Sequence, residues 1–245
     1  MLDVRLARIR RFRMRTERIP EFTTQRLSVY LRCLEALEEM GVERTSSQTM
    51  AGQFNLNSAQ IRKDLAYFGQ FGVRGVGYIV KDLKRQLSCI LGLEAGHKVC
   101  VVGAGNLGMA LTDYRGFPKN GFTVVAAFDS SPGKIGGCSR SGVPVYDLKD
   151  LSVIVRKEGI SMGIIAVPSE AAQDVCERLL DAGVRAILNF APMRLVGRPG
   201  AEIKSIDLSI SLEGLSYFLS IQFSDASRPQ QQPNPDLPSS PDTRR

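Results

Sequence analysis

Apolar residues at helical spacing dominate the stretch between Pro20 and Gly41. They recur every three or four residues, which predicts an amphipathic helix that Pro20 opens, Thr23 or Thr24 caps and Gly41 ends. The residues of the apolar face are Leu27, Tyr30, Leu31, Leu34, Leu37 and Met40. This pattern indicates a helix with one face in a core.

Two shorter helices are predicted next. One follows Ser46 or Ser47, and the other is capped by Asn57 and Ser58 and ends at Gly69. The residues of this third helix that share one face and should pack inward are Ile61, Leu65 and Phe68. Three helices joined by tight turns are typical of a helix-turn-helix.

Residues 69–80 combine glycines with β-branched and aromatic residues, which predicts a small hairpin with Arg74 near its tip. A helix over residues 81–91 then closes the domain, and the stretch LGLEAGH forms a linker. A helix-turn-helix with a hairpin wing is a more specific pattern for DNA binding than either part alone.

The third helix carries the side chains best suited to reading DNA. Gln60, Lys63 and Tyr67 line its second face, with Arg62 on the flank and Asp64 beside it. Such side chains bind phosphates and base edges, as a recognition helix in the major groove requires. An ordinary solvated helix face is the alternative. Further candidate DNA contacts are Ser47, Ser58, Arg74 and Tyr78.

From Lys98 onward, predicted strands alternate with predicted helices. This alternation favours a parallel sheet with helices on both faces, so the fold class is α/β, with a winged helix-turn-helix domain before a Rossmann-like domain. The strands are expected near residues 98–102, 123–128, 162–167, 185–190 and 203–207. The helices are expected near residues 106–115, 147–158, 170–182 and 209–221.

A glycine turn follows the first of these strands. Its pattern is G-x-G-x-x-G, and it lies between a strand and a helix, where the backbone can approach a pyrophosphate. The turn consists of Gly103, Ala104, Gly105, Asn106, Leu107 and Gly108. A lone motif of this kind is weak evidence, but here the strand–turn–helix–strand context strengthens it. The turn therefore predicts a dinucleotide site.

Asp129 ends the second strand, 26 residues after Gly103. A carboxylate at this place accepts hydrogen bonds from the adenosine ribose and repels a 2′-phosphate, which favours NAD+ or NADH over the phosphorylated cofactors. Ser130 follows it directly. Lys134 is either a contact on the adenosine side or a solvated loop lysine.

Two later loops should border the nicotinamide half of the cofactor, because they follow strands at the same sheet edge. They contain Val167 and Pro168 in AVPSEAA, and Asn189 in NFAP; structural turns are the alternative at each. No catalytic acid–base constellation accompanies them, so binding without turnover is expected. An NAD-dependent oxidoreductase and a module for another nucleotide, such as CoA, are the alternative functions.

Composition limits the remaining classes. Of the net charge of +7 over 245 residues, residues 1–18 supply +5 through seven arginines. We expect this segment to be either a disordered basic extension or an additional phosphate contact. The five cysteines form no C-x-x-C pair and His97 is the only histidine, so reduced cysteines and no metal site are expected. No apolar run is long enough for a membrane span, which indicates a soluble, cytoplasmic protein.

Several stretches of the chain together resemble the Rex family of redox-sensing transcriptional repressors. The likeness runs from about Pro20 to Phe218, leaving out the arginine-rich start and the proline-rich end. The matching stretches are RTSS, SAQIRKDLAYFGQFGVRGVGY, GAGNLGMALTDYRGF, AAFDSSPGKIGG, AVPSEAAQ and ILNFAP.

The resemblance implies a homodimer that binds palindromic operator DNA, senses the NADH/NAD+ ratio and is released by NADH. It also implies that the C-terminal helix swaps into the partner, and that Arg32, Tyr114 and Asp207 form an interdomain switch. The expected organisation is a winged-helix domain over 20–92, a cofactor domain over 97–208 and a dimerisation helix over 209–222. Composition, not the resemblance, predicts a disordered arm over 1–19 and a disordered tail over 223–245.

Overall fold

The computed structural model describes residues 20–73 and 75–226. The predictions for residues 1–19, for Arg74 and for most of the tail 223–245 lie outside these ranges. The described chain has a helical part followed by a part built on a parallel sheet, and each has its own buried cluster.

The helical part buries the predicted apolar face of its first helix against the two helices that follow and the one that closes the domain. Met40 is the exception, because it lies beyond the helix end and is exposed. The bounds are α1 Glu21–Glu39, β1 Arg44–Thr45, α2 Ser47–Phe54, α3 Ser58–Ala66, β2 Tyr78–Ile79 and α4 Val80–Ile90. The inward-facing residues predicted for α3 are buried, as expected.

The prediction of a threonine cap for α1 is wrong. The helix begins at Glu21 after Pro20, and Thr23 lies buried in its first turn with its hydroxyl 3.5 Å from Asp64 Oδ1. Thr23 is thus used to join α1 to α3. Ser46 and Asn57 do cap α2 and α3, whereas Ser58 is the first helical residue of α3 and not its cap.

The predicted hairpin wing differs from the structure. In the described part of residues 69–80, Val73 and Gly77 form a single antiparallel bridge, and β2 pairs with β1, which precedes α2. Close backbone packing explains this, since a Cβ at Gly77 would lie 2.3 Å from the Thr45 carbonyl oxygen. Gly77 also has φ +89°, which favours glycine.

Residues 97–205 contain six strands that form one parallel sheet in the order β5-β4-β3-β6-β7-β8. The order in which successive strands are added reverses between β3 and β6. In parallel sheets, ligands bind beside the carboxyl ends of the strands at such a reversal. The bounds are β3 His97–Val102, β4 Phe122–Asp129, β5 Val145–Asp147, β6 Met162–Ile165, β7 Ala186–Asn189 and β8 Glu202–Ser205.

The helices of this part are α5 Asn106–Thr112, α6 Gly116–Lys119, α7 Leu151–Glu158, α8 Ser169–Ala182 and α9 Leu208–Ala226. The helix predicted over 106–115 ends at Thr112, and the Asp113 carboxylate directly after it accepts hydrogen bonds from Arg140 N and from Ser141 N and Oγ. The helix predicted from residue 147 starts four residues later, since β5 and a 3₁₀ turn occupy residues 145–150.

The two faces of the sheet are covered unequally. Helices α7 and α8 pack over one face, where Leu151 of α7 and Leu179 of α8 lie in one buried cluster with Phe128 and Ile165 of the sheet. On the other face an apolar groove of about 470 Å³ lies over β6 and β7, next to Phe117 and Leu188. Helix α9 presents apolar side chains to solvent within this single chain.

Candidate functional site

The glycine turn lies at the carboxyl end of β3. Gly103 has φ +104°, and a Cβ there would lie 2.3 Å from the Ala166 carbonyl oxygen. A Cβ at Gly108 would lie 1.7 Å from the Gly103 carbonyl oxygen. The first and third glycines are therefore required by the protein's own packing, because α5 and β6 approach the turn closely.

Gly105 differs from the other two glycines of the motif. It has an ordinary negative φ, and a Cβ there would meet no protein atom within 4 Å. The backbone of Gly105 is thus open on the side where a ligand would approach. Leu107 is 43% exposed beside it, and Asn106 begins α5.

Asp129 lies against the turn, as its position at the end of β4 predicts. Its Oδ2 accepts hydrogen bonds from Ala104 N at 2.8 Å and Lys134 Nζ at 2.9 Å, while Oδ1 accepts one from Ser131 N at 2.8 Å. Burial raises the pKa of Asp129, but these hydrogen bonds outweigh burial and hold it below its usual range. The carboxylate is therefore ionised at neutral pH. Ser130 adjoins it in sequence and is exposed.

Lys134 is not a free loop lysine in this structure, since it forms the ion pair with Asp129. The alternative of a purely solvated side chain is therefore excluded for the chain alone. Its role toward a ligand stays a prediction. The same loop is fixed farther along by Asp113, where hydrogen bonds, above all from Ser141, lower the pKa of that carboxyl to about 2.

The two later loops lie at the predicted edge but differ in what they offer. Pro168 is the residue before α8, and Val167 lies 3.0 Å from a Cβ built at Gly103, so both adjoin the turn. Asn189 is fully buried, and its side-chain amide forms hydrogen bonds with Ala191, Met193 and Ser205. Its side chain shapes the loop through these hydrogen bonds, and the role of this loop beside a nicotinamide stays a prediction.

Three candidate DNA residues meet at the base of α3. Arg62 Nη1 donates to Ser47 Oγ at 2.9 Å, and Ser47 also bonds the Tyr78 hydroxyl. Burial raises the pKa of Tyr78, although Arg62 and Ser47 act in the opposite direction. The contacts hold Arg62 against α2 and β2. A cleft of about 610 Å³ lies between α3 and the residues that lead to β2.

The remaining candidates on α3 lie at its surface. Lys63 is exposed, whereas Ser58, Gln60 and Tyr67 are partly buried. Asp64 does not lie on this surface beside them as predicted, because its side chain is 0% exposed. The spacing of residues did not predict the burial of Asp64. At four residues after Gln60, however, Asp64 lies one helical turn away, where its side chain can contact that of Gln60.

The predicted switch residues are not brought together within this chain. Arg32 forms an ion pair with Glu35 on the same helix. Tyr114 is 56% exposed and packs edge-on against Phe117. Asp207 accepts a hydrogen bond from Ser209 N at the start of α9. Each residue is therefore engaged locally.

The described residues offer neither a metal site nor a membrane-spanning helix. No cluster of three or more histidine, cysteine or acidic side chains that could hold a metal ion occurs among residues 20–73 and 75–226. Over the same ranges, none of the helices is both long and apolar enough to cross a membrane. The cysteines are unpaired, and Cys33, Cys100 and Cys176 are buried.

The fold and the two sites define a class of protein: a winged helix-turn-helix joined to a Rossmann-like nucleotide-binding domain. Residues 18–66 match the family described as "Putative DNA-binding protein N-terminus", and residues 95–193 match the CoA binding domain family.

Relatives are more specific. The redox-sensing transcriptional repressor Rex of Desulfitobacterium hafniense is 47% identical over 83% of this chain and 97% of that protein. Rex of Streptomyces coelicolor is 46% identical over 83% of this chain and 78% of that protein. The chain therefore belongs to the Rex family of redox-sensing transcriptional repressors.

Solved structures agree with this assignment. RSP, a Rex-family repressor, in complex with β-NAD+ and operator DNA has a TM-score of 0.81 and 34% identity, over 86% of this chain and 97% of that one. RSP with β-NADH has a TM-score of 0.76 and 33% identity, over 86% and 99%. The predicted fold class is confirmed.

The turn geometry predicts that substitution by alanine destabilises the protein at one glycine of the turn and leaves its stability nearly unchanged at another. Gly108→Ala should lower the free energy of unfolding by about 2 kcal/mol or more, because the new methyl overlaps the Gly103 carbonyl. Gly105→Ala, the matched control, should change it by less than about 0.5 kcal/mol. Urea unfolding of both variants measures this, and equal losses would contradict the described packing.

Proposed function

We propose that this chain is a homodimeric transcriptional repressor that binds palindromic operator DNA and is released from it by NADH in preference to NAD+. The observation that carries the proposal is the presence, in one chain, of an α3 with an exposed basic face and a glycine turn closed by an ionised Asp129. Membership of the Rex family and the likeness to RSP solved with operator DNA, NAD+ and NADH support it.

The cofactor site would use the open backbone at Gly105 for the pyrophosphate and Asp129 for the adenosine ribose. Since Asp129 is ionised and lies at the turn, it would repel a 2′-phosphate, which favours NAD(H). Val167 and Pro168 would border the nicotinamide. The nicotinamide is positive in NAD+ and neutral in NADH, so a pocket of low polarity would distinguish the two.

Operator binding would use α3 in the major groove, with Lys63 exposed and Arg62 held by Ser47. Release of the operator by NADH requires that binding at the cofactor site changes the affinity of the DNA site. NADH must bind the DNA-incompetent arrangement more tightly, and DNA must weaken NADH by the same factor. A hundredfold release corresponds to a coupling of about 2.7 kcal/mol.

We further infer that the chain acts without turnover and in the cytoplasm, where its operator would be. Its domains would be the winged helix over 20–92, the cofactor domain over 97–208 and the dimerisation helix over 209–222. The match to a CoA binding family keeps another nucleotide as an alternative ligand. Competition of CoA against bound NADH distinguishes the two, and steady NADH consumption would indicate an enzyme.

Dimerisation would use α9. Its polar positions Ser209, Glu213, Ser216 and Ser220 fall on one narrow stripe, while most of the other positions up to Ile221 are apolar, with Ser211 as the polar exception. Leu212 and Tyr217 are 66% and 69% exposed in the single chain. A helix apolar over most of its circumference requires burial, and a second copy of the chain offers the groove over β6 and β7.

The central test is fluorescence anisotropy of an operator duplex titrated with the full chain, then with NADH or NAD+. Asp129→Ala should lower NADH affinity about tenfold and reduce the release of DNA by NADH, because a charged hydrogen-bond acceptor is lost.

Lys63→Ala should lower operator affinity about tenfold and leave NADH affinity unchanged. Asp174→Ala and Lys149→Ala, on exposed surfaces, are the matched controls.

Release by NADH alone supports the proposal. DNA binding that ignores both cofactors would mean that the turn serves another ligand. Equal loss of DNA and NADH binding in Lys63→Ala would refute the division of labour between the two domains.

A separate variant tests assembly. Leu212→Glu should raise the dimer dissociation constant at least about tenfold, because an unpaired charge would be buried in the interface. Ser216→Glu, on the polar stripe of the same helix, should leave it nearly unchanged. Light scattering over a range of concentrations measures both, and a Leu212→Glu protein that stays dimeric would exclude α9 from the interface.

A further inference from the structure

The carboxylate of Asp64 lies beneath the recognition helix and collects hydrogen bonds from two helices. Its side chain is 0% exposed. Arg26 donates through Nε at 2.6 Å and Nη2 at 2.8 Å, and the Tyr30 hydroxyl donates at 2.8 Å. Gln60 Nε2 donates to Oδ1 at 2.8 Å from one turn earlier in α3. Asp64 therefore joins α1 to a residue that faces DNA in the proposed function.

The charge of this group decides what it can bind. Burial raises the pKa of Asp64, but hydrogen bonds from Arg26, Tyr30 and Gln60 outweigh burial and lower it. The carboxyl is ionised at neutral pH, and an ionised carboxylate only accepts hydrogen bonds.

This property fixes the orientation of the Gln60 amide. A glutamine amide has one accepting oxygen and one donating nitrogen, and it can be turned by half a rotation at little steric cost. Beside an accepting carboxylate only the orientation with Nε2 inward forms a hydrogen bond. Gln60 Oε1 is then directed away from Asp64, and it has no hydrogen-bond partner in the described part of the chain.

We propose that Asp64 is a positioning residue that orients Gln60 to read an A·T base pair. The oriented amide offers an accepting oxygen and its remaining N–H. In the major groove adenine presents the matching pair, the N6 donor and the N7 acceptor, whereas guanine presents two acceptors. The inference rests on the proposed binding of operator DNA through α3.

The test uses the full chain and a duplex that it selects from a randomised library. Every base pair of the half-site is then changed in turn, and affinities are measured by anisotropy. Asp64→Asn should reduce the preference for A·T about tenfold at a single position and leave the preferences at the other positions unchanged. An asparagine at position 64 can both donate and accept a hydrogen bond, so the Gln60 amide could pair with it in either orientation. Gln60→Ala should lose preference at the same position, and the double variant should lose no more.

Tyr30→Phe is the matched control, because it removes a donor to Asp64 without touching Gln60. It should leave the base preferences unchanged. Uniform weakening on all duplexes in Asp64→Asn would show that Asp64 only stabilises the domain, and this would overturn the inference. So would a Gln60→Ala protein with intact preferences at every position.

A direct measurement covers the case in which Asp64→Asn does not fold. In the wild-type protein on DNA, nuclear magnetic resonance should show one orientation of the Gln60 side-chain amide, with a hydrogen-bonded Nε2 proton. Averaging between two orientations would overturn the inference. A wild-type chain that selects no duplex would instead refute the proposed function, so the two failures are distinguishable.

Discussion

The close approach of Gly108 to the carbonyl of Gly103 is the constraint on which the cofactor domain depends. A methyl group cannot fit between them, so α5 packs directly on the turn that ends β3. The same turn also lies against the end of β6, because the backbone of Gly103 approaches the carbonyl group of Ala166 closely. This contact places the two strands at which the sheet order reverses beside one another. The open backbone of Gly105 and the carboxylate of Asp129 obtain their places from it.

Two ionised carboxylates organise the two sites by the same physics. Asp129 accepts from the backbone N–H of Ala104 and holds the turn to β4. Asp64 accepts from Gln60 and holds α3 to α1. Both are wholly or largely buried, and in both a cation supplies one of the donors, Lys134 or Arg26. An acceptor that cannot donate selects one arrangement of its neighbours, which a hydroxyl or an amide would not do.

Much of this was predictable because it depends on local patterns. Helical spacing placed α1 to α4, and the glycine turn with Asp129 emerged from motif and strand order. The failures have a common cause, which is contact between residues distant in sequence. Thr23 and Asp64 are buried through contacts between α1 and α3, and β2 pairs with β1 across two helices. Asn189 lies at the predicted edge, but its amide is used by its own loop.

Arg32, Tyr114 and Asp207 do not contact one another within this chain, and the interdomain switch that the family resemblance implies for them stays a prediction. Their present partners are a neighbour on the same helix, an adjacent ring and a backbone N–H. Exposed interactions of this kind contribute about 1 kcal/mol or less each. Exchanging them for contacts across a dimer therefore costs little, and a coupling of a few kcal/mol suffices to select between two arrangements. If the proposed release by NADH acts through these residues, their weak local partners would leave them free to change contacts.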